Sequence, residues 1–312
     1  MNKIAYGIDI GGTSIKIGKF DIKGELMYRW EIPTRKDNGG SLILGEICDE
    51  IRRENETDGI PDDMVQGLGI VVPGPVIDEK TVNKCVNIGW GVINVADEIT
   101  RLTGIENVKV ANDANAAALG EMWKGGGVGY KNAVLLTLGT GVGGGIILNG
   151  KIHSGRFGSA GEIGHMIMSQ SETTACGCGK KGHLEQYASA TGIVRRANEL
   201  LAESQRPSML READYLSAKE VFDCAKKGDE VSLEIVDFVG EMLGRACSYV
   251  SCIIDPEIFV IGGGVSRAGD ILLDTIKNHY IQYAFHASTE TEFSLAKLGN
   301  DAGMYGAVKM VL

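Results

Sequence analysis

The chain has 312 residues, and its 41 acidic against 31 basic side chains give a formal net charge of −10. With no basic excess to neutralise a phosphate backbone, broad nucleic-acid binding is excluded. Hydrophobic residues at 44% and charged residues at 23% are ordinary globular values that exclude disorder, and the 44 glycines, without a three-residue period, mark places where backbone must approach something closely.

In chain order, Ile4 to Asp9 reads as a strand, Gly11-Gly12-Thr13 as a turn and Ser14 to Phe20 as a second strand, with a third beginning at Gly24. Leu42 to Arg53 has apolar residues at helical spacing. Gly67 to Val72 is a short apolar run ended by Pro73-Gly74-Pro75, and Val108 to Val110 leads into Asn112-Asp113 and a helix over Ala114 to Glu121. A second opening follows: a strand Ala133 to Leu138, a glycine turn from Gly139 to Gly145, a strand Ile146 to Leu148, and Asn149-Gly150 turning into Lys151. The segment 132–150 has no charged residue, but its glycine turn makes it a buried hairpin rather than a membrane span. The two openings form a weak internal repeat, each with a polar residue at a strand end and glycines in the turn. Helical spacing then dominates over Thr191 to Glu203, Ala218 to Lys227 and Glu230 to Ile254. A buried strand Ile258 to Ile261, a Gly262-Gly-Gly264 turn, a helix Ala268 to Tyr283 and a short terminal helix complete the chain.

A strand ending in Asp9 and followed by Gly11, Gly12 and Thr13 suits phosphate binding, because glycines let backbone N–H groups face an anion without obstruction. Gly139, Thr140 and Gly141 offer the same chemistry from the other half. Each is also an ordinary hairpin turn, and it is the pair that points to phosphate. Neither loop has the Walker spacing, and strand rather than helix follows each, against the dinucleotide fingerprint. Gly262, Gly263 and Gly264, between a strand and a helix, would let an adenosine lie against backbone. Asn112 and Asp113 stand at a strand end before a helix. Asp113 either caps that helix or acts as a general base on a hydroxyl that Asn112 orients.

His165, Cys176, Cys178 and His183 supply four borderline or soft ligands in a short stretch, the donor set of a structural zinc site. The alternative is a pair of loop thiols beside solvent-facing histidines. Glu162 and Glu185 flank this group, and carboxylates there suit hydroxyl-rich ligands such as sugars. The remaining cysteines, Cys48, Cys85, Cys224, Cys247 and Cys252, read as small core residues. Seven scattered cysteines and a charge at Asp9, before any apolar signal region forms, indicate a cytoplasmic protein with free thiols and no membrane partner.

Taken together, Asp9-Ile-Gly-Gly-Thr13, Pro73-Gly-Pro75, Asn112-Asp-Ala-Asn-Ala116, Leu138-Gly-Thr-Gly-Val-Gly-Gly-Gly145, Glu162-Ile-Gly-His165 and the run Cys176 to Glu185 resemble the ROK (repressor, open reading frame, kinase) family, and within it the bacterial glucokinases of Gram-positive type. The resemblance covers nearly the whole chain. It implies an α/β, actin-like, ribonuclease-H-like ATPase fold of two domains around a central cleft, with ATP on one side and a hexose on the other. The expected division is a small domain over 1–111, with the terminal helix 301–312 packing back on it, and a large domain over 112–300 carrying the zinc loop.

Residue by residue, the resemblance assigns Mg²⁺ to Asp9, phosphate oxygens to Gly11, Gly12 and Thr13, the other side of the triphosphate to Gly139, Thr140 and Gly141, and adenosine to Gly262, Gly263 and Gly264. It gives the sugar to Gly74, Asn112, Asp113, Glu162, His165 and Glu185, with Asp113 as base. Zinc falls on His165, Cys176, Cys178 and position 183, where the family has a third cysteine and this chain has His183. A homodimer is implied. The expected activity is an ATP-dependent glucokinase. The alternatives are a kinase for N-acetylmannosamine, N-acetylglucosamine, fructose or a β-glucoside, or, in another class, a sugar-sensing transcriptional regulator.

Overall fold

The computed structural model describes residues 3–312. The chain forms two compact units: residues 1–129 with 145–161 and 300–312, and residues 130–144 with 162–299.

The first unit is built on a five-stranded sheet. Its strands are β1 (Ile4–Ile10), β2 (Ser14–Asp21), β3 (Leu26–Pro33), β4 (Val65–Val72) and β8 (Val108–Asn112), in the order β3-β2-β1-β4-β8. β1 pairs antiparallel with β2, setting Asp9 opposite Lys16, and parallel with β4, setting Asp9 beside Val71. β4 pairs parallel with β8, setting Val72 beside Asn112. Asp9, the Pro73-Gly74-Pro75 segment and Asn112 therefore all leave the sheet at the carboxyl ends of adjacent parallel strands, where open α/β sheets place their ligands.

Strand alternation separates the two faces. Tyr6, Ile8 and Ile10 join the larger core with Ile43, Ile47 and Ile51 of α2 (Ile43–Asp58) and Ile99 of α3 (Val95–Thr103). Ala5, with Phe20, faces Met304 and Val308 of the terminal helix α10 (Ala302–Lys309). Gly7 and Asp9 share that face, and the small residues let the α10 backbone come close. At its start, a Cβ on Gly303 would stand 3.3 Å from Asp9 Oδ2.

The helix after Asn112, α4 (Asp113–Lys124), packs on α10. Gly120 abuts the Ala302 carbonyl and Gly306 the Ala116 carbonyl. Glycine-mediated helix contact thus joins α4 to the terminal helix within the first unit, whose first segment runs to Gly129. A small sheet of β5 (Val76–Ile77), β6 (Thr81–Cys85) and β7 (Trp90–Asn94) completes this unit.

The second sheet contains β9 (Ala133–Leu138), β10 (Val142–Leu148), β11 (Lys151–Ile152), β12 (Ile258–Gly262) and β13 (Glu292–Leu295), in the order β11-β10-β9-β12-β13. The order repeats the first sheet: three strands of a meander, a parallel strand beside the first of them, and a second parallel strand beside that one. The weak repeat in the sequence is therefore a duplication of topology. Gly143, Gly144 and Gly145, read as turn, lie within β10. Glycine is needed at 145, where a Cβ would meet the Ala114 carbonyl oxygen at 2.5 Å.

In the second unit the 25-residue α8 (Glu230–Ile254) buries Ile235, Val239, Leu243 and Cys247 and packs on α9 (Asp270–Tyr283). Cys48, Cys85, Cys224 and Cys247 are buried, while Cys252, expected in the core, is exposed because it falls on the outer face of α8. All seven thiols are free. Among the described residues no helix is long and apolar enough to cross a membrane.

Candidate active site

β1 ends at Ile10 and the chain turns through Gly11-Gly12-Thr13 into β2, with the Gly11 N–H donating to the Ser14 carbonyl at 2.9 Å. Thr34, just past β3, fastens this loop twice. Its N–H donates to the Thr13 carbonyl at 2.9 Å, and its hydroxyl to the Gly11 carbonyl at 2.8 Å. Asp9 lies at the base of the loop. Burial lifts its carboxyl from 3.8 to about 6; Lys16 opposes the lift, and the negative charges of Asp113, Asp301 and Glu31 add to it. A surplus of carboxylate with one ammonium to offset it fits residues that take a divalent cation.

Asn112 is the N-cap of α4. Its Oδ1 accepts from the N–H groups of Ala114 at 3.0 Å and Asn115 at 3.3 Å, and its Nδ2 donates to the Gly74 carbonyl at 3.3 Å. It thereby ties the 73–75 segment to the start of the helix. Gly74 passes close to the small sheet, where a Cβ would stand 3.1 Å from Cys85 Cβ. Because Asn112 does the capping, Asp113 is left as the first helical residue with one carboxyl oxygen on the Ala114 N–H at 2.8 Å. The Asp113 side chain is open to solvent on one side, yet the protein around it desolvates the carboxyl and raises its pKa against the hydrogen bonds of Ala114 and Asn112. A carboxylate with raised basicity, facing solvent at a strand end, has the properties of a general base.

In the second unit, the Gly139 N–H donates to the Gly141 carbonyl at 3.0 Å, and its own carbonyl accepts from the Ala190 N–H at 2.8 Å. The Thr140 carbonyl accepts the Thr191 hydroxyl at 2.9 Å. The Gly262 to Gly264 turn sits beside this loop through the β9–β12 register of Thr137 and Gly262. Gly263, at φ +85°, crosses Leu138 so closely that a Cβ would meet the Leu138 carbonyl oxygen at 2.5 Å, so only glycine serves there. Next to Gly264 opens a mostly apolar cavity of about 380 Å³ lined by Ser217, Lys219, Phe222, Val265 and Arg267. None of those five was legible as a site residue, since they come from two distant helical segments.

His165, Cys176, Cys178 and His183 come together, with their ligand atoms all within 4.8 Å of one another. His183 Nδ1 stands 3.1 Å from His165 Nδ1, 3.3 Å from Cys176 Sγ and 3.4 Å from Cys178 Sγ, and the two sulfurs are 3.1 Å apart. Tetrahedral zinc with these donors has ligand separations of about 3.3–3.8 Å; the separations here run from 3.1 Å to at most 4.8 Å and bracket that range, so the donor set fits the metal once the side chains settle around it. His183 is buried and presents Nδ1, the ring nitrogen nearer the backbone. Burial and the neighbouring His165 lower its pKa, favouring the neutral form that ligates.

Glu185 joins this cluster to the second glycine loop. Its Oε1 accepts from Cys176 Sγ at 3.0 Å, and its Oε2 lies 2.8 Å from where a Gly141 Cβ would be. His165 turns its other nitrogen, Nε2, toward Glu162 Oε2 at 3.8 Å. Of the expected site residues, Asp9, Gly11, Gly12, Thr13, Gly74, Asn112 and Asp113 thus belong to the first unit. Gly139, Thr140, Gly141, Glu162, His165, Cys176, Cys178, His183, Glu185 and the Gly262 to Gly264 turn belong to the second. A depression of about 770 Å³ lined by Gly39, Leu44, Trp90, Val92, Asp97 and Arg101 contains none of them.

A model of the ROK family matches residues 5–312. The chain belongs to the ROK family. It is 44% identical over 306 residues to a glucokinase of Halalkalibacterium halodurans, covering 96% of this chain and 92% of the relative. It is 34% identical to a glucokinase of Thermotoga maritima, over 98% and 96% of the two chains. Among solved structures, a ROK family glucokinase from Streptomyces griseus in complex with glucose and AMPPNP aligns with a TM-score of 0.73 at 33% identity, covering 98% of each chain. The fold is the actin-like ATPase fold of ROK sugar kinases.

Proposed function

We propose that the protein is a cytoplasmic, ATP-dependent glucokinase that transfers the γ-phosphoryl group of ATP to the 6-hydroxyl of glucose. The observation that carries this reading is Asp113: a solvent-facing carboxylate of raised basicity at the carboxyl end of β8, beside the glycine loop that follows β1. As the glucose O6 attacks the γ-phosphorus, Asp113 accepts the hydroxyl proton while the bond to the ADP oxygen breaks. Asn112 holds the Gly74 segment and the start of α4 in one arrangement, so Asp113 meets the hydroxyl without searching.

The loops Gly11 to Thr13 and Gly139 to Gly141 hold phosphate oxygens, and the Gly262 to Gly264 turn with its neighbouring cavity holds the adenosine. Asp9 would hold Mg²⁺, which when bound neutralises charge on the phosphates. Glu162, His165 and Glu185 take sugar hydroxyls. Zinc on His165, Cys176, Cys178 and His183 would fix the loop that carries them. Ligation through Nδ1 would leave the His165 Nε2–H to donate to a sugar hydroxyl, so that one ring would serve both metal and sugar. Exposed apolar side chains on α8 and α9, Tyr249, Ile253, Ile281 and Tyr283, are the face for a homodimer.

A coupled assay of ADP release with ATP·Mg²⁺ tests the reading. Glucose is turned over and 6-deoxyglucose is not. Equal ADP release with both sugars, or none with glucose, rejects it.

A further inference from the structure

Two lysines stand near the Gly11 to Thr13 loop, and they are committed differently. Lys16, opposite Asp9, donates its ammonium to the Asn300 carbonyl at 2.9 Å. Lys36 follows the Thr34 latch, which pins the chain leaving β3 across the loop. Its Nζ lies 3.7 Å from the point a Gly12 Cβ would occupy. The backbone then folds back through a single turn, α1 (Asp37–Gly40), in which Asn38, Gly39 and Gly40 have positive φ and the Gly40 N–H donates to the Lys36 carbonyl at 3.2 Å. Lys36 is thus held by backbone bonds on both sides.

Among the described residues its ammonium has no counter-ion. The adjacent Arg35 pairs with Glu46 at 3.1 Å, whereas no carboxylate among the described residues pairs with Lys36. Nor does any acceptor among them bond the N–H groups of Gly12 and Thr13. An exposed ammonium therefore stands at the space that a side chain at position 12 would fill, on a loop whose Gly12 and Thr13 N–H groups have no partner among the described residues. That is the donor set of an oxyanion site, and the absence of a side chain at Gly12 leaves room for the anion.

We propose that Lys36 is a phosphate-binding residue of the kinase reaction, its ammonium contacting terminal phosphate oxygens of ATP held on the Gly11 to Thr13 loop. The proposal rests on reading that loop as an ATP phosphate site. As the bond between the β,γ-bridging oxygen and the γ-phosphorus breaks, negative charge shifts toward ADP, and an ammonium at the loop stabilises it more than it stabilises bound ATP. Lys36 then acts on the nucleotide and leaves the sugar alone.

The test is steady-state kinetics on the full-length Lys36→Met, Lys36→Arg and Gly12→Ala variants, with ATP·Mg²⁺ and glucose varied in turn and Tm recorded. Lys36 is exposed, and a Cβ at Gly12 meets only ordinary contact, so all three variants fold. Lys36→Met lowers kcat/KM for ATP by on the order of a hundredfold, keeps KM for glucose within about twofold and Tm unchanged, and Lys36→Arg recovers most of the loss. Near-parental kinetics in Lys36→Met with Gly12→Ala impaired overturns the role of Lys36 while leaving the loop in place. Near-parental kinetics in both overturns the loop reading and the proposal with it. A fall in Tm with a parallel rise in the KM for glucose makes Lys36 structural and equally overturns it.

Discussion

Replacing Asp9 with asparagine is expected to make the ligand-free protein more stable and catalytically dead. The ionised Asp9 sits among Asp113, Asp301 and Glu31 in a desolvated corner, and its pKa rises from 3.8 to about 6. At pH 8 that lift corresponds to about 3 kcal/mol of destabilisation. The sign follows from the direction: the folded state holds the proton more tightly than the unfolded chain, so the cost is full above about pH 6 and disappears below 3.8. Asp9→Asn removes the charge without changing the shape. Denaturant unfolding at pH 8 and pH 5.5 in a magnesium-free buffer, for parent and variant, reads the difference directly. The expected gain is about 3 kcal/mol at pH 8, falling to about 2 kcal/mol at pH 5.5, while ADP release is lost. A variant no more stable than the parent at pH 8, or a difference that does not shrink on acidification, refutes the reasoning.

Asp113→Asn is expected to lower kcat by about 10²–10⁴ with Tm equal to or above the parent's, since the ionised carboxyl is desolvated; turnover within a fewfold of the parent removes the base. Because the Asp113 carboxyl is raised and acts ionised, the parental rate climbs with pH through a value above the usual carboxylate range, and Asp113→Asn lacks that limb. Metal analysis of protein purified without a His tag or added zinc is expected to find about one zinc per chain, and His183→Ala to lose it and lower Tm; well under one zinc in the parent contradicts the site. Gly306→Ala forces a methyl against the Ala116 carbonyl and is expected to destabilise by about 1–3 kcal/mol; an unchanged Tm shows that α4 and α10 do not need that close approach.

What the sequence made legible was local. Asp9 with its glycine loop, the matching Gly139 to Gly141 loop and the Cys176 to His183 run each lie within a few residues, so strand ends, turns and ligand spacing expose them. Contacts made by distant segments were not legible. Thr34 and Lys36 reach the first loop only because β3 returns antiparallel beside β2, and neither residue carries a motif of its own. Asp301 and Gly303 come to Asp9 from the far end of the chain. The close approach of α4 and α10 runs through glycines, which leave no apolar stripe to read. Cys252 followed the outer face of a helix whose apolar residues continue on both sides.

Asp9, Gly12, Asn112 and Asp113 have a common origin in the parallel pairing of β1, β4 and β8, which delivers their strand ends side by side. The second sheet repeats the arrangement with Gly139 to Gly141 and Gly262 to Gly264 at the ends of β9 and β12. Duplicated topology thus yields two backbone cradles, and the chemistry differs only in the side chains added to each: carboxylates in the first unit, a thiol–imidazole cluster with Glu185 in the second.

The most direct measurement is a one-pot competition. Equimolar glucose, N-acetylglucosamine and N-acetylmannosamine are incubated with the protein and limiting ATP·Mg²⁺, and the sugar phosphates are identified by mass spectrometry and NMR. Glucose 6-phosphate as the dominant product is the predicted result. A dominant N-acetyl sugar phosphate, phosphorylation at another hydroxyl, or no sugar phosphate at all would contradict it.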